Sequence, residues 1–352
     1  MSGRIYSRKR RDGPTMADVA TAAGVSPMTV SRVINGDARV LPATRDKVQE
    51  AIGRLGYVPN PAARNLAGAR QCRLVLLHTN PSAAYLSEFL LGSLASARKS
   101  DAELIVEQHD SGESPAALAA RLAAHRVDGV LLPPPLCDDE ALLASLASQR
   151  LEVAQVATGA PASTAHAVFI DDEAAAFAMT MHLLEQGHRR IGYVSGSPDQ
   201  SASHLRRRGY KRALKDFGID IEEVLIVPGD YTYRSGLEAA ERLLNPSIRP
   251  TAIFAANDDM AAAIVGAAHR MALDVPGTLS VCGFDDTAIA TATWPELTTI
   301  RQPVSAMAHR AITILANSIR RKDGSQSIAM QRVLLPFELV RRGSDARLEA
   351  GT

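Results

Sequence analysis

Short apolar runs alternate with longer amphipathic stretches from Leu74 onward, and no other feature narrows the available folds as far. The runs are Leu74–Leu77, Glu103–Glu107, Gly129–Leu132, Val153–Ala157, Ala167–Ile170, Ile191–Val194, Val224–Val227, Ala252–Ala255 and Leu279–Val281. Helical patterns separate most of them, among them Asp138–Gln149, Glu173–Gln186, Ser203–Phe217 and Asp258–Leu273. Continuous apolar strands joined through helices predict an α/β fold of parallel sheets covered on both faces. Around nine strands in the 280 residues after position 72 exceed what one compact sheet usually holds, so the pattern predicts two lobes. Ligands of such sheets bind outside the carboxyl ends of the strands, and a cleft between lobes sets two groups of those ends face to face.

Charge divides the chain at the same place. Lys and Arg number 39 against 38 Asp and Glu, a net of +1. Residues 1–72 hold 12 basic and 5 acidic residues, a net of +7, and the remainder carries −6. Such asymmetry points to a polyanion-binding piece attached to something else. Hydrophobic residues at 46% can fill a large core, which excludes bulk disorder. No apolar run approaches the ~20 residues that span a bilayer, so no membrane partner is expected. Arg8-Lys9-Arg10-Arg11 is not followed by an apolar segment and does not read as a secretory signal. Cys72, Cys137 and Cys282 lie far apart, which reads as idle thiols in a reducing cytoplasm.

The basic segment opens with TMADVATAAGVSPMTVSRVING, residues 15–36. Thr15 followed by Asp18 forms a capping-box pattern, Val19, Ala20 and Ala23 recur at helical spacing, and Gly24 stops the helix. Ser26 as N-cap and Pro27 at the first helical position start a second helix with Val30, Val33 and Ile34 as its apolar stripe, ended by Gly36. A third helix over Thr44–Tyr57, with Val48, Ala51, Ile52 and Leu55 on one face, covers the first two. The result reads as a helix-turn-helix or as an ordinary three-helix bundle. The second helix favours the former, because Pro27, Met28, Thr29, Ser31 and Arg32 lie off its apolar stripe. A cation for base edges with small hydroxyls for phosphates is what a recognition helix needs. Next comes YVPNPAARNLA, residues 57–67, with two prolines and room for about two helical turns from Asn60 or Pro61. Helices this short order only against a partner, and Leu66 among small residues suits a wedge between base steps; a plain linker is the other reading.

The run TMADVATAAGVS with TVSRVING, followed by VLPATRDKVQEAIGRLGYVPNPAARNLAG, resembles the headpiece and hinge of the LacI/GalR family of bacterial transcription repressors over residues 14–70 without a gap. The resemblance implies a DNA-binding headpiece over residues 14–58, a hinge over 59–71 and a two-lobed effector-binding and dimerisation core over 72–344. It implies base reading by Pro27, Met28 and Arg32, and phosphate or groove-edge contacts by Thr15, Ser26, Thr29, Ser31, Asn35, Arg39 and Thr44. In the hinge it implies DNA contacts by Asn60, Arg64, Leu66 and Ala67, with Leu66 as the intercalating side chain.

Polar residues gather after the apolar runs of the core: Thr79 and Asn80, Asp171-Asp172, Asn257-Asp258-Asp259 and Asp285-Asp286. Arg206 opens a helix after Ser195-Gly196-Ser197, and Tyr231 and Tyr233 follow Asp230. Carboxylates, an amide, a guanidinium and aromatic rings suit a polyol, although any single Asp here is also a natural helix cap. Neither Gly-x-Gly-x-x-Gly nor Gly-Lys-Ser/Thr occurs, so a kinase or dehydrogenase would lack its phosphate cradle. His182 and Glu185 at i, i+3 read as a solvated face, adjacent Asp285 and Asp286 do not suit acid–base work, and no catalysis, metal or cofactor is expected.

GHRRIGYVSGSP, RRRGYKRAL, RPTAIFAANDDMAAAIVGA, VPGTLSVCGFDD and WPELTTIRQP resemble the effector-binding core of the same family, which is similar to periplasmic sugar-binding proteins. By position the resemblance implies that Arg206, Asn257 and Asp285 grip sugar hydroxyls, that Tyr231 forms an aromatic wall, and that Thr79 falls near the pocket. Where many sugar-responsive members place an Asp after the fourth strand, this chain has Thr158. Crossings between lobes are expected at His166–Asp172 and Leu297–Pro303, with residues 302–330 returning to the first lobe. The tail VRRGSDARLEAGT lacks a leucine heptad, so the expected assembly is a dimer. Together these readings predict a homodimeric repressor of a palindromic operator, controlled by a small molecule of saccharide type. The rivals are a sugar-binding transport-type protein without DNA function and an enzyme on a two-lobed fold.

Overall fold

The computed structural model describes residues 14–34, 39–57, 71–79, 82–109, 112–322 and 329–348. Its contacts separate two compact units, residues 1–71 and 72–352.

In the first unit, α1 (Met16–Ala23) begins at Thr15. The Thr15 hydroxyl and Asp18 backbone, and the Asp18 carboxylate and Thr15 backbone, satisfy each other reciprocally. Gly24 ends the helix at φ 66°, a left-handed conformation that glycine adopts without steric cost. Next, α2 (Pro27–Ile34) starts from Ser26, whose Oγ accepts the Thr29 N–H at 3.1 Å. The third helix, α3 (Pro42–Leu55), begins two residues before the expected Thr44, because Pro42 fits the first helical position. It ends at Gly56 rather than Tyr57, whose ring is buried instead with Val19, Val30, Val33, Val48 and Ala51 in a small core.

The second unit holds two six-stranded sheets. One contains β1 (Cys72–His78), β2 (Ala102–Gln108), β3 (Gly129–Leu132), β4 (Glu152–Val156), β5 (His166–Phe169) and β11 (Arg332–Leu334), all parallel, in the order β11-β5-β4-β3-β1-β2. The other contains β6 (Ile191–Val194), β7 (Ile226–Val227), β8 (Ala252–Ala255), β9 (Ser280–Asp285), β10 (Thr298–Arg301) and β12 (Glu338–Val340), in the order β12-β10-β9-β8-β6-β7; only β12 runs antiparallel. With the first sheet go α4 (Ala83–Lys99), α5 (Pro115–Ala124), α6 (Glu140–Ser148) and the long α12 (Val304–Lys322). The second sheet carries α7 (Asp172–Glu185), α8 (Ser201–Asp216), α9 (Tyr233–Leu243), α10 (Asp258–Arg270) and α11 (Ala288–Ala292). Central strands are buried along their whole length, as their unbroken apolar runs require.

All nine expected runs overlap strands, although Val224–Val227 shrinks to two strand residues after a 3₁₀ turn. Three strands, β10, β11 and β12, were not expected; each is only three or four residues long and none stands out as an apolar run. The chain passes between lobes at β5 to α7 and at β10 to α12, within the two expected segments, and a third time between β11 and β12. The sheets reverse strand order between β1 and β3 and between β6 and β8, which marks the place where a parallel sheet opens a crevice.

Candidate functional site

At the carboxyl ends of both sheets lies a cleft enclosing about 400 Å³, lined by Ser82, Tyr85, Pro134, Ala157, Gln200, Ala202, Arg206, Tyr231, Asn257, Asp285 and Gln302. Most of these residues sit at or just past the end of a strand: Ser82 after β1, Pro134 after β3, Ala157 after β4, Tyr231 after β7, Asn257 after β8, Asp285 at the end of β9 and Gln302 after β10. Three of them, Ala157 (φ 56°), Tyr231 (φ 71°) and Asp285 (φ 106°), hold left-handed backbone that side chains disfavour. Strain of this kind costs of order 1–3 kcal/mol per residue and collects at functional sites.

Arg206 organises the floor. It is 4% exposed, donates from Nε to Asp172 Oδ1 at 2.8 Å and from Nη1 to the Ala256 carbonyl at 2.6 Å, and lies 3.6 Å from Asp285 Oδ1. Its guanidinium stacks 3.6 Å above the Phe284 ring. Burial opposes its charge, and Asp172 and Asp285 more than offset that, holding its pKa above the ordinary arginine value. The same burial raises Asp172 despite Arg206, and raises Asp285 to about 7 against the pull of Arg206 and Gln302. Gln302 donates from Nε2 to Asp285 Oδ1 at 2.5 Å. Among the described residues, its Oε1 and the buried Tyr85 hydroxyl have no hydrogen-bond partner. Burial holds Tyr85 protonated far above its ordinary range, and the buried Tyr231 hydroxyl is likewise unpartnered among the described residues, so the cleft offers two unused hydroxyls and one unused amide acceptor.

The Tyr231 ring lines the cleft; a Cβ on Gly196 would overlap it, so the ring rests on bare backbone. Asn257 caps α10 through the Met260 N–H and donates from Nδ2 to the Tyr231 carbonyl at 2.9 Å. It is therefore both a helix cap and a lining residue. Asp171 caps α7, Asp258 is taken up by Thr287 and Thr299, and Asp286 pairs with Arg301 and Arg342, so these three turn away from the cleft. Tyr233 is 44% exposed and does not line it. Of the six effector residues expected, Arg206, Tyr231, Asn257 and Asp285 line the cleft together. Thr79 ends beyond β1 outside the lining, and Thr158 is fully buried, its hydroxyl donating to Asp138 Oδ1 at 2.6 Å. Ser82, Tyr85, Pro134, Ala157, Gln200, Ala202 and Gln302 were not anticipated. Position just after a strand would have found several of them; Tyr85, inside α4, carries no such signal. His182 bonds Asp345 at 2.7 Å, and among the described residues no cluster of three potential metal ligands occurs.

On the headpiece, Thr15, Ser26, Pro27, Arg32 and Arg39 are exposed, Met28 is 64% exposed, and Thr29, Ser31 and Thr44 are half-buried. Pro27, Met28 and Arg32 of α2 are thus presented to solvent, Met28 and Arg32 on the face opposite Val30 and Val33. Asn35, Asn60, Arg64, Leu66 and Ala67 lie outside the described residues. No helix among the described residues is long and apolar enough to cross a membrane.

Residues 15–60 match the model of bacterial regulatory proteins of the lacI family, and residues 180–344 match a periplasmic binding protein-like domain. The chain is 34% identical to catabolite control protein A of Priestia megaterium over 94% of its own length and 98% of that protein. It is 31% identical to the transcriptional repressor CytR of Escherichia coli K12, covering 98% of this chain and 100% of that one. Among solved structures it resembles a complex of the transcriptional regulator CelR with cellobiose, with 31% identity, a TM-score of 0.71 and coverage of 94% and 99%. It also resembles a lac repressor dimer bound to operator and the anti-inducer ONPF, with 27% identity, a TM-score of 0.73 and coverage of 95% and 100%. With a headpiece of this kind on a two-lobed core of this kind, and full-length relatives above 30% identity, the chain belongs to the lacI family of bacterial transcriptional regulators.

Proposed function

We propose that the protein is a homodimeric repressor that holds a palindromic operator and releases or tightens its grip when a saccharide enters the interlobe cleft. The observation that carries the effector half is the convergence of Arg206, Asp285, Asn257, the Tyr231 ring and the unused Tyr85 and Gln302 groups at the strand ends. Paired hydroxyls on a ring with one apolar face satisfy such a lining. The CelR neighbour's cellobiose makes a disaccharide the first compound to try.

For the DNA half, α2 would enter the major groove with Arg32 on base edges and Met28 and Pro27 against thymine methyl groups. Thr15, Ser26, Thr29, Ser31, Asn35, Arg39 and Thr44 would hold phosphates, and Asn60, Arg64, Leu66 and Ala67 would occupy the minor groove. Two headpieces reading symmetric half-sites require a dimer, and contact with the chromosome places the protein in the cytoplasm. Fluorescence anisotropy at fixed salt, comparing selected palindromes with random DNA, tests this; equal affinity for all sequences would overturn it. Leu66→Ala should cost specific binding at least about tenfold more than nonspecific binding if the side chain wedges a base step. Calorimetric titration with cellobiose and a wider saccharide panel tests the effector half, and a panel with no saturable binder would remove the saccharide assignment.

A further inference from the structure

α8 carries Arg206, yet it begins without a cap from its own lobe. Gln200, the preceding residue, makes no side-chain bond to the first turn, and that turn contains no acidic residue. The free N–H groups and partial positive charge of a helix N-terminus are normally met by such groups. Here a carboxylate from the other lobe meets the first of those N–H groups. Asp138, at the end of the 3₁₀ turn after β3, accepts both the Ser201 N–H and the Ser201 hydroxyl on Oδ2, each at 2.8 Å. Its other oxygen accepts the Thr158 hydroxyl at 2.6 Å, and Thr158 in turn accepts the Ala160 N–H at 3.0 Å, which fixes the loop after β4.

Backbone from the first lobe completes the joint. The Gly159 N–H donates to Ser201 Oγ at 2.7 Å, and a Cβ on Gly159 would stand 2.6 Å from Leu205 Cδ1 and 3.1 Å from the Ser201 carbonyl carbon. A side chain at 159 would press on Leu205 and crowd the Ser201 backbone, so glycine eases this close approach of the β4 loop to α8. We infer that Asp138, held by the Thr158 hydroxyl, is a helix cap supplied across the cleft, so that lobe closure completes α8 and lobe separation uncaps it. Asp138 is thus a positioning residue: it acts on Arg206 through the first turn of α8. Thr158 thus orients a carboxylate held one strand away. The capping bond stands on this geometry alone; its meaning for effector binding rests on the function proposed above.

Hydrogen exchange of the full-length chain separates this arrangement from a generic surface contact, because neighbouring Asp139 caps α6 of its own lobe through the Leu142 N–H at 2.9 Å. Asp138→Ala should speed exchange of amides 201–203 by about tenfold while leaving α6 unchanged. Asp139→Ala should speed exchange in the first turn of α6 and leave α8 unchanged. Asp138→Asn, which keeps the shape and one acceptor oxygen, should fall between wild type and Asp138→Ala, and Thr158→Val should loosen the same α8 amides more weakly. Spin labels on one exposed residue of each lobe should report a longer or broader distance in Asp138→Ala than in wild type. Unchanged α8 exchange in folded Asp138→Ala would overturn the proposal, whatever saccharide binding shows. If Asp138→Ala does not fold, Asp138→Asn carries the same test.

Discussion

Asp285 combines a strained backbone, a buried carboxyl and a hydrogen bond from Gln302, and its proton sits close to the pH at which a cell works. The ordinary value for this carboxyl is 3.8, and burial raises it to about 7 in the folded chain. Folding therefore takes up a proton between those values, so the contribution of Asp285 to stability is full below 3.8 and is lost as pH rises through about 7. Urea midpoints of wild type should accordingly fall relative to those of Asp285→Asn between about pH 5 and pH 8, and parallel curves would refute the raised value. Residue identity at this site was legible where chemistry and position coincide. Asn257, Asp285 and Tyr231 stand at or after strand ends and Arg206 on the helix that follows β6, all with side chains suited to a polyol, and all four line the cleft. What could not be read was orientation. Asp258 and Asp286 have the same side chain as Asp285 and flank the same cleft, but Thr299 and Arg342 draw them away through contacts made 41 and 56 residues distant in sequence.

At the scale of elements, α7 and α8 cross so closely that a Cβ on Gly209 would overlap the Glu173 carbonyl oxygen and stand 2.9 Å from the Phe177 nitrogen. Two effects oppose each other on Gly209→Ala: alanine is better in a helix by about 1 kcal/mol, and forced overlap with backbone costs about 1–3 kcal/mol. Backbone in a packed helix cannot move aside as a flexible side chain can, so the overlap wins. Urea denaturation should show a net loss of about 1–2 kcal/mol, and a gain in stability would show that the helices separate freely. Helices with caps and apolar faces were readable to within a few residues, Thr15–Gly24 and Ser26–Pro27 most clearly, because their signals are local. The short strands β11 and β12 were not, because what makes them strands is the edge of β5 and of β10, far away in sequence.

For the molecule as a whole, the function proposed above makes the two sites partners in one equilibrium. Whatever factor a saccharide imposes on operator affinity, operator DNA must impose on saccharide affinity. Calorimetric titration of a binding saccharide into free protein and into the protein–operator complex should give dissociation constants that differ by the same factor as the two operator constants, and unequal factors would break the scheme. Charge suits the proposed division of work: a net of +7 before residue 73 would favour phosphates, while −6 in the remainder would discourage attachment of the core to DNA at random.

The third passage between lobes bears on the order in which the protein comes into being. Because β11 completes one sheet and β12 the other, the first lobe has all its strands only after residue 334 and the second only after residue 340, whereas the three headpiece helices are finished by residue 55. At a synthesis rate of about 5–20 residues per second, the DNA-binding unit exists for roughly 15–60 s before the cleft can be assembled. Each newborn molecule thus passes through an interval with a headpiece and no finished cleft, which ends once β12 has been made.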